Sequence, residues 1–178
     1  TTKKDIIKYF PAAKDKIRVI HLGYRKDEFE PISEDDKQIF LDKHDYPDNF
    51  LLYIGRLESK KNVLNLIKAY QKSSRRWPLV LAGRAGNYGY KEIENLVNDP
   101  DLKNDVLLLG YVSQVNYPKL MASASGFVFP SKFEGFGLPV LEAMASGIPV
   151  TCSNISALKE VAQEAALYFD PDDIEDIK

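Results

Sequence analysis

Two glutamates, Glu134 and Glu142, bracket two glycines and a proline in the stretch SKFEGFGLPVLEAMASGIPV at positions 131–150. These residue types at this spacing suit a charged, hydroxyl-rich ligand. Gly135 and Gly137 permit backbone conformations and close approaches that side chains would block. Pro139 fits the first helical position, where its missing N–H removes no bond, so a helix is predicted over Pro139–Ser146, ended by Gly147. The N–H groups around Gly137, Leu138 and Val140 are then expected to project from the helix start, where the helix dipole also favours an anion. Glu142 would lie about one turn inside the helix and could accept two ribose hydroxyls side by side. As a plain helix-start charge it would be worth only about 0.3–1 kcal/mol. Glu134, in the loop, could accept hydrogen bonds from sugar hydroxyls or steady positive charge at a sugar carbon.

A second loop supplies cations. After the apolar run NFLLYIG come Gly55, Arg56 and Lys61, and an arginine fork with a lysine point charge suits a diphosphate. Taken alone, a solvated basic loop is the commoner explanation; placement on the same sheet edge as the glycine helix start favours the phosphate reading. Arg84, after PLVLAG, is a weaker candidate for the same place, and Lys60 reads as a surface lysine. Gly83, Gly86 and Gly89 do not match the dinucleotide fingerprint, and no phosphate loop of the G-x-x-x-x-G-K-[ST] kind occurs. His21 and His44 have no evident partners, with His21 expected to follow a strand. No Asp-x-Asp cluster lies in a site loop, and Asp172 and Asp173 lie at the far terminus, so no metal is expected.

The elements that must position these loops follow from the apolar pattern. A short helix over residues 2–9 and a first strand, Ile17–Ile20, precede a long polar loop. Ser33 can cap a helix from Glu34 to about Lys43. NFLLYIG, PLVLAG, DVLLLG, GFVFP, IPVTC and ALYF then read as strands, alternating with helices at Asn62–Lys72, YKEIENLV, YPKLMASA, the glycine-loop helix and Ala157–Ala162. Strand and helix alternating through short connections predict an α/β fold, a Rossmann-like doubly wound and mostly parallel sheet with helices on both faces. Ligands bind such sheets beyond the carboxyl ends of the strands, where the loops after Gly55, Gly83 and Phe129 could converge.

At 178 residues the chain is read as one domain, 1–178. Its 24 basic and 26 acidic residues give a net charge of −2, with no global attraction for nucleic acid. Cys152 is the only cysteine, which excludes an internal disulfide. No apolar run approaches the roughly 18 residues of a membrane span, and no export signal is visible, so a cytoplasmic location is expected.

YIGRLESKKN, LVLAG, LLLGYVS, FPSKFEGFGLPVLEAMASGIPV and SNISALKEVAQEAALYFDP, in that order, resemble the C-terminal domain of the retaining family-four glycosyltransferases, which have the GT-B fold. The resemblance covers nearly the whole chain. It implies a nucleotide-sugar donor bound without a cofactor, in a cleft facing a separate N-terminal domain that holds a saccharide or lipid-linked acceptor. By motif, Arg56 and Lys61 would grip the diphosphate, Glu142 the ribose and Glu134 the donor sugar. The backbone of Phe136, Gly137 and Leu138 would meet phosphate and sugar, and that around Tyr111 and Val112 the nucleobase. Lys159 and Gln163 stand where similar sequences often carry proline and glycine. Because such enzymes have two domains and a returning C-terminal helix, the expectation is an excised donor-binding domain with little transfer activity by itself, peripheral to a membrane only through the other domain. Rival expectations are a nucleotide-binding module without catalysis and a glycosidase using Glu134 and Glu142.

Overall fold

Six short apolar runs become six strands because each finds a parallel neighbour. In the computed structural model, which describes residues 2–178, these are β1 (Leu51–Ile54), β2 (Leu79–Ala82), β3 (Val106–Gly110), β4 (Gly126–Phe129), β5 (Val150–Ser153) and β6 (Leu167–Phe169). They form one sheet in the order β3-β2-β1-β4-β5-β6, with every pairing parallel, the doubly wound order that reverses direction between β1 and β4. Leu52 sits opposite both Val80 and Phe127 at the centre. All four residues of β2 and of β4 are buried, as expected for strands covered on both faces, which read as continuous apolar runs.

Helices α1 (Thr2–Tyr9), α2 (Glu34–His44), α3 (Val63–Lys72), α4 (Tyr90–Val97), α5 (Tyr117–Ser123), α6 (Leu138–Ala145), α7 (Ser156–Ala162) and α8 (Ile174–Ile177) complete the chain. α3 packs on α4 and α8, whereas α2, α5, α6 and α7 form a second contiguous series. The connections β1–α3–β2–α4–β3 wind away from those running β3–α5–β4–α6–β5, so right-handed crossovers put the two series on opposite faces. Local chemistry sets the ends: Ser33 Oγ accepts from the Asp36 N–H at 3.1 Å, and Asp45 closes α2 in the left-handed region.

Three sequence expectations change. Residues Ile17–Ile20 pair with no strand; Val19 and Ile20 are 54% and 87% exposed, and the sheet begins instead at Leu51. β-pattern without a ladder partner makes only extended chain, since a strand's backbone bonds come from its neighbour. The expected strand before His21 is therefore absent. α6 starts at Leu138, one residue early, and the Val140 N–H is bonded to the Gly137 carbonyl at 3.0 Å rather than free. Asp172, at the end of the sequence, folds back to form an ion pair with Lys132, while the Asn62 amide donates to the Pro171 carbonyl at 2.7 Å.

The loops after β1 and β2 run on together beyond the sheet. Gly55 N–H donates to Ala82 O, Leu57 N–H to Arg84 O, Gly86 N–H to Leu57 O and Ser59 N–H to Tyr88 O, all at 2.9–3.0 Å. Gly83 has φ +143°, and a Cβ there would stand 1.8 Å from the Gly55 carbonyl oxygen. A Cβ on Gly86 would stand 2.3 Å from Glu58 Cβ, and one on Gly89 2.1 Å from Ser59 Oγ, so glycine every third residue keeps one loop against the other. Gly83→Ala should therefore cost about 1–3 kcal/mol of stability, the range for strain at a special backbone position. Urea unfolding of the variant checks this, and a loss within about 0.5 kcal/mol, typical of an unconstrained surface site, would contradict it.

Candidate functional site

A cleft of about 460 Å³ opens at the carboxyl ends of β1, β2 and β3, lined by Ile54, Gly55, Arg56, Ala82, Gly83, Arg84, Tyr111, Val112, Gln114 and Tyr117. Its floor is backbone and small residues because the β1 and β2 loops have no side chains to spare there. Tyr53 is wholly buried beneath it and donates its hydroxyl to the Arg56 carbonyl at 2.9 Å. A Cβ on Gly55 would meet that hydroxyl at 2.6 Å. Arg56 and Arg84 are both exposed at the walls. The Arg84 guanidinium stacks 4.4 Å from the centre of the Tyr111 ring, so one wall presents a flat face with cationic donors along it.

Lys61 and Glu134 meet each other. The loop after β1 carries Lys61 to the loop after β4, where its Nζ lies 2.6 Å from Glu134 Oε1 and 6.0 Å from the centre of the Phe129 ring. Both side chains are mostly covered, at 19% and 14% exposure, so removing either leaves a poorly hydrated charge. Beyond Glu134, Gly137 takes φ +109° at the start of α6, and a Cβ there would stand 2.5 Å from Leu158 of α7. Gly135 has neither constraint; a Cβ there would meet nothing within 4 Å. The N–H groups of Phe136, Gly137 and Leu138 have no hydrogen-bond partner among the described residues.

Glu142, near the middle of α6, is tied to the cleft by Tyr117 at the start of α5. The Tyr117 hydroxyl donates to Glu142 Oε2 in a short hydrogen bond. Burial holds the Glu142 carboxyl above its ordinary range; the Tyr117 bond and the Arg25 charge pull it down, and Glu28 adds to the rise. Tyr117 itself is pushed up by burial, then by the charge and hydrogen bond of Glu142, so the phenol keeps its proton. Phe29, almost fully buried, packs its ring edge-on to Tyr117 at 5.3 Å.

The structure thus divides the candidates. Gly55, Arg56, Tyr111 and Val112 line the cleft; Lys61 and Glu134 pair with each other, and neither they nor Glu142 are among its lining residues; Gly135, Phe136, Gly137 and Leu138 form the turn into α6, with the Phe136 ring 6.4 Å from that of His21. Sequence reading missed Tyr117, Gln114 and the buried carboxylate of Glu58, which lies 3.1 Å from Lys60 Nζ. Only the glycine triplet Gly83, Gly86 and Gly89 held a legible signal, that of two backbones in contact. Among the described residues no three His, Cys, Asp or Glu side chains group as metal ligands, and no helix is long and apolar enough to cross a membrane.

An all-parallel sheet of this order, with its cleft at the strand ends, defines a Rossmann-like domain of the GT-B kind. The chain belongs to the family described as glycosyl transferases group 1, which matches residues 34–178. It is 37% identical to the O-antigen chain mannosyltransferase B of Escherichia coli, over 99% of this chain and 47% of that protein. With the O-antigen chain mannosyltransferase RfbU of Salmonella typhimurium it shares 33% identity, over 97% of this chain and 45% of that one. The chain therefore spans about half the length of these relatives. Among solved structures, the C-terminal domain of the group 1 glycosyl transferase LpcC from Francisella tularensis superposes with a TM-score of 0.73 at 26% identity, covering 87% of this chain and 84% of that one. Anabaena HepE, solved in complex with UDP and glucose, gives 0.88 at 22% identity, covering 99% of this chain and 49% of that one.

Burial of Glu142 has a thermodynamic sign. Because folding raises its pKa, its contribution to stability is full below the unfolded-state value and is lost as pH rises through the folded one. Glu142→Gln, which stays neutral and still accepts from Tyr117, should melt higher than the parent at about pH 7.5 and together with it near about pH 3. Calorimetric melts at the two pH values measure this; a lower melting temperature for the variant at the higher pH would contradict it.

Proposed function

We propose that this chain binds a nucleoside diphosphate sugar and forms the donor side of a hexosyltransferase, a mannosyltransferase in its nearest chemistry, acting with retention of configuration on a saccharide or lipid-linked acceptor. The observation that carries the proposal is the cleft at the ends of β1, β2 and β3, which Arg56, Arg84, Gly55, Gly83, Tyr111, Val112 and Tyr117 line together. Nucleobase and ribose occupy the Tyr111, Val112 and Glu142 end. The diphosphate meets Arg56 and Lys61, and the sugar reaches Glu134 and the N–H groups of Gly137 and Leu138. Likeness to O-antigen mannosyltransferases supports a mannosyl donor. Since those relatives are about twice as long, the acceptor is assigned to a part of the enzyme outside these residues, at the cytoplasmic side or against a membrane surface, and the chain alone should transfer little.

In the reaction, the bond between the anomeric carbon and the diphosphate oxygen breaks, and the electron pair leaves with the phosphate. Arg56, Lys61 and the unpartnered N–H groups at the start of α6 stabilise that charge most where it is greatest, in the transition state. No metal is required in this scheme. Glu134 holds the Lys61 ammonium in place and faces the sugar, whose carbon becomes electron-poor as the bond opens.

Isothermal titration with a panel of nucleoside diphosphates tests the proposal: binding by none, with the fold intact, would remove it. Arg56→Ala and Lys61→Ala should each weaken the diphosphate by roughly 1.5–3 kcal/mol, as for charged hydrogen bonds, and leave the nucleoside nearly unaffected. Equal losses for nucleoside and diphosphate would refute both assignments.

A further inference from the structure

Tyr117 is the side chain that joins the cleft to Glu142. It is one of the residues lining the cleft, and its hydroxyl donates to Glu142 Oε2. Glu142 Oε1 has no partner among the described residues. A tyrosine hydroxyl has one proton and two lone pairs; with the proton committed to the carboxylate, the phenol oxygen is left as an acceptor. The pair therefore offers two acceptors, one on each residue, held together by the bond between them.

That unit is braced from outside α5 and α6. Phe29 meets the Tyr117 ring edge-on, at 78° between planes, and is 2% exposed. Arg25 lies 5.8 Å from the Phe29 ring and pairs with Glu28 at 2.8 Å. The brace comes from residues 25–29, before the part of the chain that the family description matches. Freedom to rotate away, which a tyrosine at a cleft edge ordinarily has, is thus restricted on two sides.

We infer that Tyr117 is a positioning and specificity-determining residue: it fixes the Glu142 carboxylate and adds its own oxygen, so that the vicinal diol of a ribose meets paired acceptors and a deoxyribose does not. The inference rests on the nucleoside site proposed above. A ligand lacking one hydroxyl leaves an acceptor of the pair without a donor, and sites built around a hydroxyl reject analogues that lack it. A carboxylate alone could accept both hydroxyls; what Tyr117 adds is fixed direction and a second oxygen outside the carboxylate.

The test compares a ribonucleoside diphosphate with its 2′-deoxy and 3′-deoxy forms by titration calorimetry, in the parent chain and in Tyr117→Phe, with melting curves to confirm folding. The parent should bind the ribo form about 10-fold or more tightly than at least one deoxy form, as expected for one hydrogen bond to a charged group. In Tyr117→Phe that ratio should fall several-fold, to about 3 or less, with binding of inorganic pyrophosphate unchanged. The acid limb of ribonucleotide binding should also move to higher pH, since losing the Tyr117 bond leaves burial and Glu28 raising the Glu142 carboxyl against Arg25 alone. A merely structural role for Tyr117 would move neither readout. Equal binding of all three ligands by the parent would overturn the ribose site itself. A normal preference in the parent, kept undiminished in Tyr117→Phe with the acid limb unmoved, would overturn the role of Tyr117 alone. Should the phenylalanine variant not fold, Tyr117→Leu is measured in its place against the same outcomes.

Discussion

The contact between Gly83 and the Gly55 carbonyl sets the rest of the site, because it lets two loops continue side by side after their strands have ended. A Cβ at Gly83 would fall 1.8 Å from that oxygen, a distance no packing adjustment absorbs without moving backbone. With it absent, the loop hydrogen bonds from Gly55 to Tyr88 can form, and the two arginines that follow the strands, Arg56 and Arg84, come to line the same cleft. Loops that splay apart after their strands would carry those charges to different places. The backbone that would otherwise need water is satisfied by its neighbour, so the floor is rigid without large side chains. That narrowness of chemistry makes room for a ligand.

Charge is distributed unevenly around this floor. Arg56 and Arg84 face solvent at the walls, where their charge is well hydrated and available to an anion. Lys61 is covered and already paired with Glu134. A covered lysine without its carboxylate would be costly to keep charged, so the pair stabilises a cation in the place where a phosphate would need it. Glu134 consequently serves the resting protein as well as any ligand: it holds the ammonium and fixes the turn that leads through Gly137 into α6. The return of Asp172 to Lys132, two residues before Glu134, ties the same loop to the end of the chain. Asn62, at the start of α3, does so again through the Pro171 carbonyl.

Much of the fold was legible in the sequence because its signals are local. Six apolar runs of strand length, Ser33 ahead of an acidic helix start, and Gly147 after α6 depend on near neighbours alone. Ile17–Ile20 shows the limit: its β-branched residues suit a strand, but strandness is a relation to a partner, and the run has none in this sheet. The candidate site was legible to the same degree. Arg56 could be placed at a strand end by counting and Gly137 by its helix, whereas Tyr111 and Val112 entered only through the family resemblance. The pairing of Lys61 with Glu134 joins loops far apart in the chain, and Tyr117 reads as an ordinary helix-start residue until α5 is laid beside α6. Gly83, Gly86 and Gly89 fail the dinucleotide fingerprint, and their spacing reports instead one loop lying close against another.

At the Tyr117–Glu142 pair the energetic requirement and the proposed ribose contact oppose each other. Burial favours a protonated Glu142, whereas holding hydroxyl donors requires acceptor oxygens and is strongest with the carboxylate ionised. The phenol reconciles the two in part: its hydrogen bond stabilises the charged form, while its own proton is held firmly because burial and the adjacent carboxylate both oppose loss. Phe29 and Arg25 then act on the same pair from one side, the first by packing against the ring and the second by its positive charge. Removing Arg25 would withdraw a charge that favours the carboxylate without touching the hydrogen bond. Removing the phenol oxygen withdraws both a donor and an orientation. A partly covered carboxylate is thus oriented by the same phenol whose hydrogen bond favours its charge.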